Sequence, residues 1–236
     1  PKTDEHRRLF SLSTGEQRSV LTPEVLALRW NIGLAAAKRT MQATTQTGIR
    51  NVLAPGERKV RQRLDHLKYP TLKGRFWSDT SFASVKSLRG FNTAQHFTNG
   101  LDYERFYPMK RKSEALAALM SFIQDAGIPP TLVTDNAHEE THGEWGQTCR
   151  VYHVQQKHTV PYSPWQNLAE ASVRAAKQGI RRATSRKRSP KRLWCYCGQW
   201  VAAIRRLTAL DLPQLDGQVP EAYVLGSTVD ISAYAQ

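Results

Sequence analysis

Two patterns that could support catalysis overlap in residues 131–145, which read TLVTDNAHEETHGEW. His138, Glu139 and His142 form H-E-x-x-H, in which zinc proteases use two His residues as metal ligands and the Glu as general base. Asp135 directly follows a short apolar run, as a metal-binding Asp does at the end of a buried strand. The segment therefore indicates either a zinc protease or a site for chemistry on phosphodiesters.

The surroundings of the two His residues argue against the protease. A zinc protease needs both His residues inside a stable helix and a third ligand downstream. Here Asn136 and Ala137 lie between the predicted strand end and His138, and Gly143 directly follows His142. The longer Gly-and-His extension of these enzymes is absent. We therefore interpret the pattern as a chance match and expect no zinc.

Three carboxylates could instead form a site for hard cations. Asp79 lies in a predicted strand, Asp135 at the end of another, and Glu170 in the first turns of a predicted helix. Two-metal phosphoryl transfer needs carboxylate oxygens from several rigid elements, around two ions roughly 3.5–4 Å apart. The alternative is that these are ordinary exposed acids. This alternative is weakened because the chain is strongly basic and these few acids follow apolar strands or lie among arginines.

Hydrophobic patterning predicts the elements that would position these carboxylates. Residues 74–110 are rich in aromatic and β-branched residues and are interrupted by turn residues, which predicts three antiparallel strands. Helical spacing of apolar residues and short apolar runs predict the rest. The expected order is strands near 74–84, 91–98 and 103–109, a helix over 113–126, a strand at 131–134, a helix over 140–151, a strand at 154–160, and helices over 167–188 and 191–209. This order predicts an α/β fold with a mixed sheet.

The composition indicates a globular protein with a polyanionic partner. The 236 residues are 40% hydrophobic with six Trp, enough for a full core. The net charge of +14 and a pI near 10.0 favour nucleic acid, although a ribosome-associated or merely soluble basic protein would have the same charge. Few cysteines, no apolar run that could span a bilayer and no signal peptide predict a protein of a reducing compartment, neither secreted nor bound to a membrane.

The residues before the predicted sheet divide into a polar tail (1–20), a helical hairpin (21–50) and a basic linker (51–70). In the hairpin, a short turn joins the first helix to a basic second helix with Lys38 and Arg39. This arrangement resembles a helix-turn-helix DNA reader, although any small helical hairpin looks similar. Residues 71–230 form the predicted catalytic domain. The first residue is not Met, which suggests a segment cut from a longer polypeptide.

Taken together, these residues resemble the D,D-35-E catalytic core of retroviral and retrotransposon integrases. The form is that of copia-like elements, particularly those of diatoms and other algae. The resemblance covers about residues 65–230. It rests on Asp79, Val133-Thr134-Asp135-Asn136-Ala137, Pro161-Tyr162-Ser163-Pro164, Asn167 and Glu170, with support from Gly127-Ile128-Pro129 and Pro220-Glu221.

The resemblance implies an RNase H-like fold in which Asp79, Asp135 and Glu170 are catalytic and bind two Mg²⁺ or Mn²⁺ ions. It implies a polynucleotidyl transferase that processes the 3′ ends of element DNA and joins them to target DNA, by in-line attack of water or a 3′-hydroxyl. Double-stranded DNA and further copies of the chain are the implied partners. The nucleus, for which the basic run 186–192 could be a signal, and a cytoplasmic virus-like particle are the expected locations.

Two features depart from the family pattern. Thirty-four residues separate Asp135 from Glu170, one fewer than the usual spacing of about 35. Residues 1–70 contain His6 and His66 but no Cys, so the N-terminal zinc domain of these enzymes is not expected. We hypothesise that the helical hairpin takes its place on DNA.

Further DNA contacts are predicted from charge and position. Basic residues that follow Glu170 along the predicted helix form a stripe for phosphates or, alternatively, a solvated helix face. Polar residues of the preceding loop could contact a DNA end. The predicted contacts are Lys38, Arg39, Tyr162, Gln166, Asn167, Arg174, Lys177, Arg181, Arg182, Arg186, Lys187 and Arg188.

Two other functions remain compatible with the sequence. The chain could bind or tether DNA without catalysis, or it could be another RNase H-like nuclease, such as RNase H or a resolvase, because a fold does not fix a function. The presence of all three acids disfavours the first alternative. The TDN and PYSP segments disfavour the second.

Overall fold

The computed structural model describes residues 21–46, 67–135, 143–159 and 168–234. Within these ranges the chain forms a mixed five-stranded sheet with helices on both faces, preceded by a small helical segment. The expected α/β fold class is therefore confirmed. No helix in the described ranges is long and apolar enough to cross a membrane.

Most of the observed elements lie close to the predicted ones, but the helix at Pro220–Leu225 was not predicted. Two short helices, α1 (Pro23–Trp30) and α2 (Leu34–Ala43), come first. The sheet and its helices follow as β1 (Arg75–Phe82), β2 (Thr93–Thr98), β3 (Glu104–Met109), α3 (Ala115–Asp125), β4 (Thr131–Thr134), α4 (Gly143–Val151), β5 (Gln155–His158), α5 (Leu168–Arg186), α6 (Trp194–Leu207) and α7 (Pro220–Leu225). Single turns of 3₁₀-helix occur at Lys112–Glu114, Lys191–Leu193, Pro213–Leu215 and Ser232–Tyr234.

The strands are arranged in the order β3-β2-β1-β4-β5. β1, β2 and β3 are antiparallel neighbours, whereas β4 runs parallel to β1, and β5 runs parallel to β4. Three antiparallel strands, followed by β4 beside β1 and β5 beside β4, form the RNase H-like arrangement that the sequence resemblance implied. The connections between the parallel strands include α3 and α4, as is usual for parallel pairing.

One face of the sheet packs against α3 and α4. Phe76 and Phe97 project from β1 and β2, and both are fully buried in the main core cluster. The rings of Phe97 and Phe122 stack with centroids 4.5 Å apart, and Trp145 of α4 extends the same cluster. This face is an apolar core.

The opposite face packs against α5 and α6. A Cβ atom added at Gly198 of α6 would lie 2.4 Å from the ring of Phe106 on β3, and one added at Gly179 of α5 would lie 2.6 Å from Val201 of α6. These glycines allow close contact between α6 and the sheet, and between the two helices. The second face is therefore tightly packed at α6.

The buried face of α6 differs from the predicted one. Apolar spacing indicated a core face of Leu193, Trp194, Cys197, Val201, Ile204 and Leu207. Trp194, Ile204 and Leu207 are buried, but Leu193, Cys197 and Val201 are only partly buried. Gly198 and Ala202 contribute to the buried face instead. These small residues let α6 pack closely against Phe106. In this orientation Cys197 and Val201 lie at the edge of the buried face of α6.

The N-terminal hairpin packs against the end of α6 and the C-terminal segment. Leu26, Trp30 and Ala37 form a buried cluster with residues Ile204, Leu207 and Ile231. The indole N–H of Trp30 donates a hydrogen bond to the carbonyl oxygen of Tyr234 at 2.8 Å. The first helix, α1, has an N-cap: the Thr22 hydroxyl oxygen accepts a hydrogen bond from the backbone N–H of Val25, and Pro23 is the first helical residue.

Candidate active site

Asp79 and Asp135 lie on the same face of the sheet. Asp79 is in β1 opposite His96 of β2, and Trp77 pairs with Val133 of β4. Side chains alternate along a strand, so Asp79 shares a face with Trp77, and Asp135 shares one with Val133. This is the face that α5 and α6 cover. Both carboxylates are partly buried.

Glu170 is the third residue of α5, which crosses the same face and contacts β1 and β2. Its side chain is half-exposed, and its carboxylate accepts from Arg174 one turn later, with Nη2 and Oε1 3.4 Å apart. The first turn of α5 therefore brings a third carboxylate to the face that carries Asp79 and Asp135.

Asp79 interacts electrostatically with both of the other carboxylates. Burial raises the pKa of Asp79, and the negative charges of Asp135 and Glu170 raise it further. The hydrogen bond donated by the backbone N–H of Thr80, 2.7 Å from Oδ1, and the nearby His96 act in the opposite direction. Asp79 therefore has a pKa raised by burial and by two acidic neighbours, and a site of this kind is suited to a divalent cation.

The carboxylates are not drawn together as a ligand shell. Within residues 21–46, 67–135, 143–159 and 168–234, no group of three His, Cys, Asp or Glu residues is close enough to hold a metal ion. Electrostatic coupling extends farther than metal–ligand bonds of about 2.0–2.1 Å for Mg²⁺. The electrostatic effect on Asp79 and the lack of a metal-binding cluster in these ranges are both explained if the three acids face one region without touching. A bound cation would have to draw them closer together.

Several predicted site residues lie outside the described ranges. They are His138, Glu139 and His142 of the H-E-x-x-H pattern, and Tyr162, Gln166 and Asn167 of the loop before α5. The DNA contacts predicted for the loop remain predictions, and the structure does not bear on the protease alternative.

A buried polar network lies beside Asp79, and no motif in the sequence indicated it. His96 and Glu104 are almost completely buried, and the His96 Nδ1 atom is 2.7 Å from Oε1 of Glu104. The other ring nitrogen of His96 is 2.8 Å from Oγ of Ser81. Arg205 of α6 donates to the second oxygen of Glu104. The network thus connects β1, β2, β3 and α6.

Arg205 extends the network to α5. Its Nε donates to Oδ1 of Asp102 at 2.9 Å, and its Nη1 donates to the hydroxyl of Ser172 at 3.2 Å. Burial alone would lower the pKa of Arg205, but Glu104 and Asp102 raise it above its usual value. Ser81 and Ser172 each lie two residues after a candidate carboxylate, Asp79 or Glu170. The network therefore fixes α5 relative to β1.

No local signal could have identified this network. Arg205 and Glu104 are separated by 101 positions in the chain, and each occurs in a segment whose other residues predict ordinary packing. A buried His–Glu pair across two antiparallel strands becomes visible only once the register of β2 and β3 is known.

The basic residues of α5 are divided between two faces of the helix. Arg174, Lys177 and Arg181 follow Glu170 at spacings of three and four residues, and all are exposed on its side of the helix. Arg182, Arg186 and Lys187 instead line a groove between α5 and α6, and Arg188 follows them. The single predicted stripe thus comprises two surfaces, and DNA contact by either remains a prediction.

The basic residues of the hairpin have different surroundings. Lys38 is exposed, whereas Arg39 pairs with Asp211 at 3.5 Å. The Asp211 side chain is 90% exposed, and such surface pairs contribute little to stability. The predicted contacts of Lys38 and Arg39 with DNA are compatible with these positions.

Comparison with known proteins gave matches among solved structures. No protein-family model matches the chain, and a search of curated proteins gave no match. The chain is similar to a chain of the simian T-cell lymphotropic virus intasome in complex with PP2A regulatory subunit B56 gamma, with 20% identity over 76% of this chain and 67% of that chain and a TM-score of 0.46.

The chain is also similar to the HTLV-2 integrase catalytic core domain in complex with magnesium. For the trimeric form the identity is 14% over 62% of this chain and 93% of that chain, with a TM-score of 0.48. For the dimeric form it is 16% over 55% of this chain and 86% of that chain, with a TM-score of 0.44. Similarity of this degree does not by itself assign an activity.

Proposed function

We propose that this protein is a metal-dependent polynucleotidyl transferase of the integrase type, which processes the 3′ ends of a mobile element's DNA and joins them to target DNA. The observation that supports this most is that Asp79, Asp135 and Glu170 lie on one face of an RNase H-like sheet, where the charges of Asp135 and Glu170 raise the pKa of Asp79. The sequence resemblance to copia-like integrases points to the same three residues.

The donor set at this site fits Mg²⁺ or Mn²⁺, because carboxylate oxygens are the ligands that hard cations prefer. The raised pKa of Asp79 reflects negative charge that a bound cation would neutralise. Asp79, Asp135 and Glu170 would hold the ions. When bound, the ions stabilise the entering and leaving oxygens of an in-line displacement at phosphorus. Arg174 would exchange its contact with Glu170 for a DNA phosphate, since its partner carboxylate is then occupied.

The remaining residues of the proposed site orient the DNA and the helix. Lys177 and Arg181, exposed on the Glu170 side of α5, would bind phosphates on either side of the reacting bond. The network of His96, Glu104 and Arg205 holds α5 against the strands. The proposal further includes a homo-oligomer acting on double-stranded DNA, residues 71–230 as the catalytic domain, and locations in the nucleus and in a cytoplasmic virus-like particle.

A strand-joining assay tests the proposed function without knowledge of the element's terminal sequence. The protein would be incubated with Mg²⁺ or Mn²⁺, supercoiled plasmid and a pool of labelled duplex oligonucleotides with randomised ends. We expect label to become covalently joined to the plasmid, and sequencing of the junctions to reveal the preferred termini. A chelator added at the start should prevent the product.

Matched substitutions connect the product to the proposed residues. Asp79→Asn and Asp135→Asn should abolish joining, because each removes a carboxylate that the reaction needs. Asp211→Asn, at an acid whose side chain is 90% exposed, should leave joining unchanged. Joining by folded Asp79→Asn protein at the wild-type rate would refute the assignment of the site.

The alternative is a DNA-binding protein of the same fold that has no catalytic activity. It is favoured by one observation, the lack of a three-residue metal cluster in the described ranges. In that case the soluble protein would bind DNA, give no joined product with either metal, and bind DNA equally well after Asp79→Asn. The same assay therefore decides between the two functions.

A further inference from the structure

A groove of about 640 Å³ lies between the N-terminal hairpin, α5 and α6. One wall is the end of α1 and the turn that follows it, and the other walls are the second half of α5 and the exposed side of α6. We refer to it as the α5–α6 groove. The carboxylates of the proposed active site do not line it.

The α5–α6 groove is lined by cations. Its acidic lining residue is Asp102, whose carboxylate is already paired with Arg205. Arg186 donates to the side-chain amide oxygen of Asn31 at 2.7 Å, so its position is fixed by a neutral partner and its charge is not cancelled. The cationic residues at the rim are Arg29, Arg182, Arg186 and Lys187, all of them exposed. The charge of this surface is complementary to a polyanion.

Aromatic side chains from α6 line the same groove. Trp200 is 38% exposed and Tyr196 is 49% exposed. Large aromatic surfaces next to cations are the arrangement by which proteins bind single-stranded nucleic acid, since bases stack on the rings while phosphates meet the charges. Phosphate alone would explain the cations but not the exposed rings.

The size of the groove favours an unpaired strand over a duplex. A volume of about 640 Å³ is in the range of about 300–1,000 Å³ that holds a small ligand, so it admits a short unpaired segment but not a double helix. Arg182 follows Glu170 by twelve positions on the same helix, which corresponds to about 18 Å at about 1.5 Å per residue. A strand that leaves the proposed active site along α5 would reach the groove.

We propose that the α5–α6 groove binds an unpaired DNA strand, with Arg182 and Arg186 on its phosphates and Trp200 stacked against a base. The choice of DNA over RNA rests on the proposed function. The preference for an unpaired strand rests on the groove's own charge, rings and size.

Fluorescence anisotropy with a labelled single-stranded oligodeoxynucleotide, and with the duplex that it forms with its complement, tests the proposal. Arg182→Glu with Arg186→Glu should weaken single-strand binding at least about tenfold, and should reduce the slope of log affinity against log salt by about 1.4, at about 0.7 per phosphate contact. Arg111→Glu with Arg150→Glu is the matched control. Both of its residues are exposed and outside the groove, and it changes the net charge equally.

Substitution of Trp200 separates stacking from charge. Trp200→Ala should weaken single-strand binding about tenfold, within the range measured for loss of one base–aromatic stack. Trp200→Phe, which keeps a ring, should retain most of the affinity. Melting curves of all variants would show whether each one is folded, and comparison with the Phe variant makes the result independent of a small loss of stability.

Three results would overturn the proposal. They are an equal loss of affinity in the two double variants, single-strand binding by folded Trp200→Ala at the wild-type level, and a preference of the wild type for duplex that the groove variants abolish. The strand-joining assay distinguishes failure of the groove proposal from failure of the proposed function. Joining without single-strand binding would refute only the groove, and binding in the groove without joining by the wild type would refute only the activity.

Discussion

Asp79 combines partial burial with two negative neighbours, and each of these disfavours its ionised form. A carboxylate kept in such surroundings destabilises the folded protein unless a cation joins it. Functional sites often retain unfavourable residues of this kind, and their replacement then increases stability while it removes activity. Replacement of Asp79 should therefore increase the stability of the folded protein and abolish strand joining.

We predict that Asp79→Asn increases the free energy of unfolding at neutral pH by about 1 kcal/mol, or about 2–4 °C in melting temperature for a chain of this size. Because the folded-state pKa of Asp79 is raised, its penalty is absent where both states are protonated and grows as pH rises through that pKa. The gain should therefore be present at neutral pH and disappear below the usual pKa of Asp. Melting curves across pH measure it.

Added Mg²⁺ provides the complementary test. The ion should raise the melting temperature of the wild type, since it binds the folded state, and should have a smaller effect on Asp79→Asn. Asp211→Asn should respond as the wild type does. A pH-independent difference between Asp79→Asn and the wild type would contradict the electrostatic explanation.

At the scale of elements, the position of α5 depends on contacts that combine apolar packing with a buried ionic network. Gly179 permits close contact between α5 and α6, and Arg205 joins α6 to Asp102, to Glu104 and to Ser172 of α5. Glu104 is completely buried. An unpaired buried charge is costly, so the network keeps the first turn of α5, and with it Glu170, at a fixed place over β1.

We predict that Arg205→Met lowers the free energy of unfolding by about 3–5 kcal/mol, because Glu104 would keep a buried charge without its cationic partner. Urea unfolding monitored by circular dichroism measures the change. Combining Arg205→Met with Glu104→Gln should recover part of the loss, since the unpaired charge is then removed.

The control for this prediction is Arg39→Met. Arg39 also belongs to an ion pair, but its partner Asp211 is 90% exposed, and the expected loss is at most about 1 kcal/mol. Equal losses for Arg205→Met and Arg39→Met would mean that the buried network does not stabilise the fold.

At the scale of the whole molecule, the N-terminal hairpin is part of the folded unit. Leu26 is completely buried in a cluster that includes residues of α6 and the C-terminal segment, and the backbone of Thr45 pairs with Asp230. Removal of residues 1–50 would therefore expose apolar surface of α6. A test of DNA contact by the hairpin should use Lys38→Glu, which leaves this packing intact.

We predict that Leu26→Ala lowers the free energy of unfolding by about 2–5 kcal/mol and that the protein still unfolds in one transition, because the hairpin and the sheet domain share this cluster. Leu28→Ala, at a residue of the same helix that is 66% exposed, should change it by at most about 0.5 kcal/mol. Tryptophan fluorescence and circular dichroism should give coincident curves. Two separate transitions would show that the hairpin folds independently.

Local patterning was sufficient to predict the five strands, the helices up to α6 and the positions of Asp79, Asp135 and Glu170 in or next to them, whereas α7 was not predicted. Alternation, turn residues and caps act over a few residues, so a short window contains the signal. It also predicted that the chain is basic enough to bind a polyanion. The two faces of α5 could not be separated in this way, because the helix carries cations almost all around its exposed surface.

Contacts between distant segments decided the rest. Glu104 and Arg205 come together across 101 positions, and Gly198, unremarkable in the sequence, sets the orientation of α6 through its contact with Phe106. That orientation turns Trp200 and Val201 toward Arg182 and forms the α5–α6 groove. Burial and pairing depend on which surfaces pack together, and the identity of a residue's sequence neighbours does not contain that information.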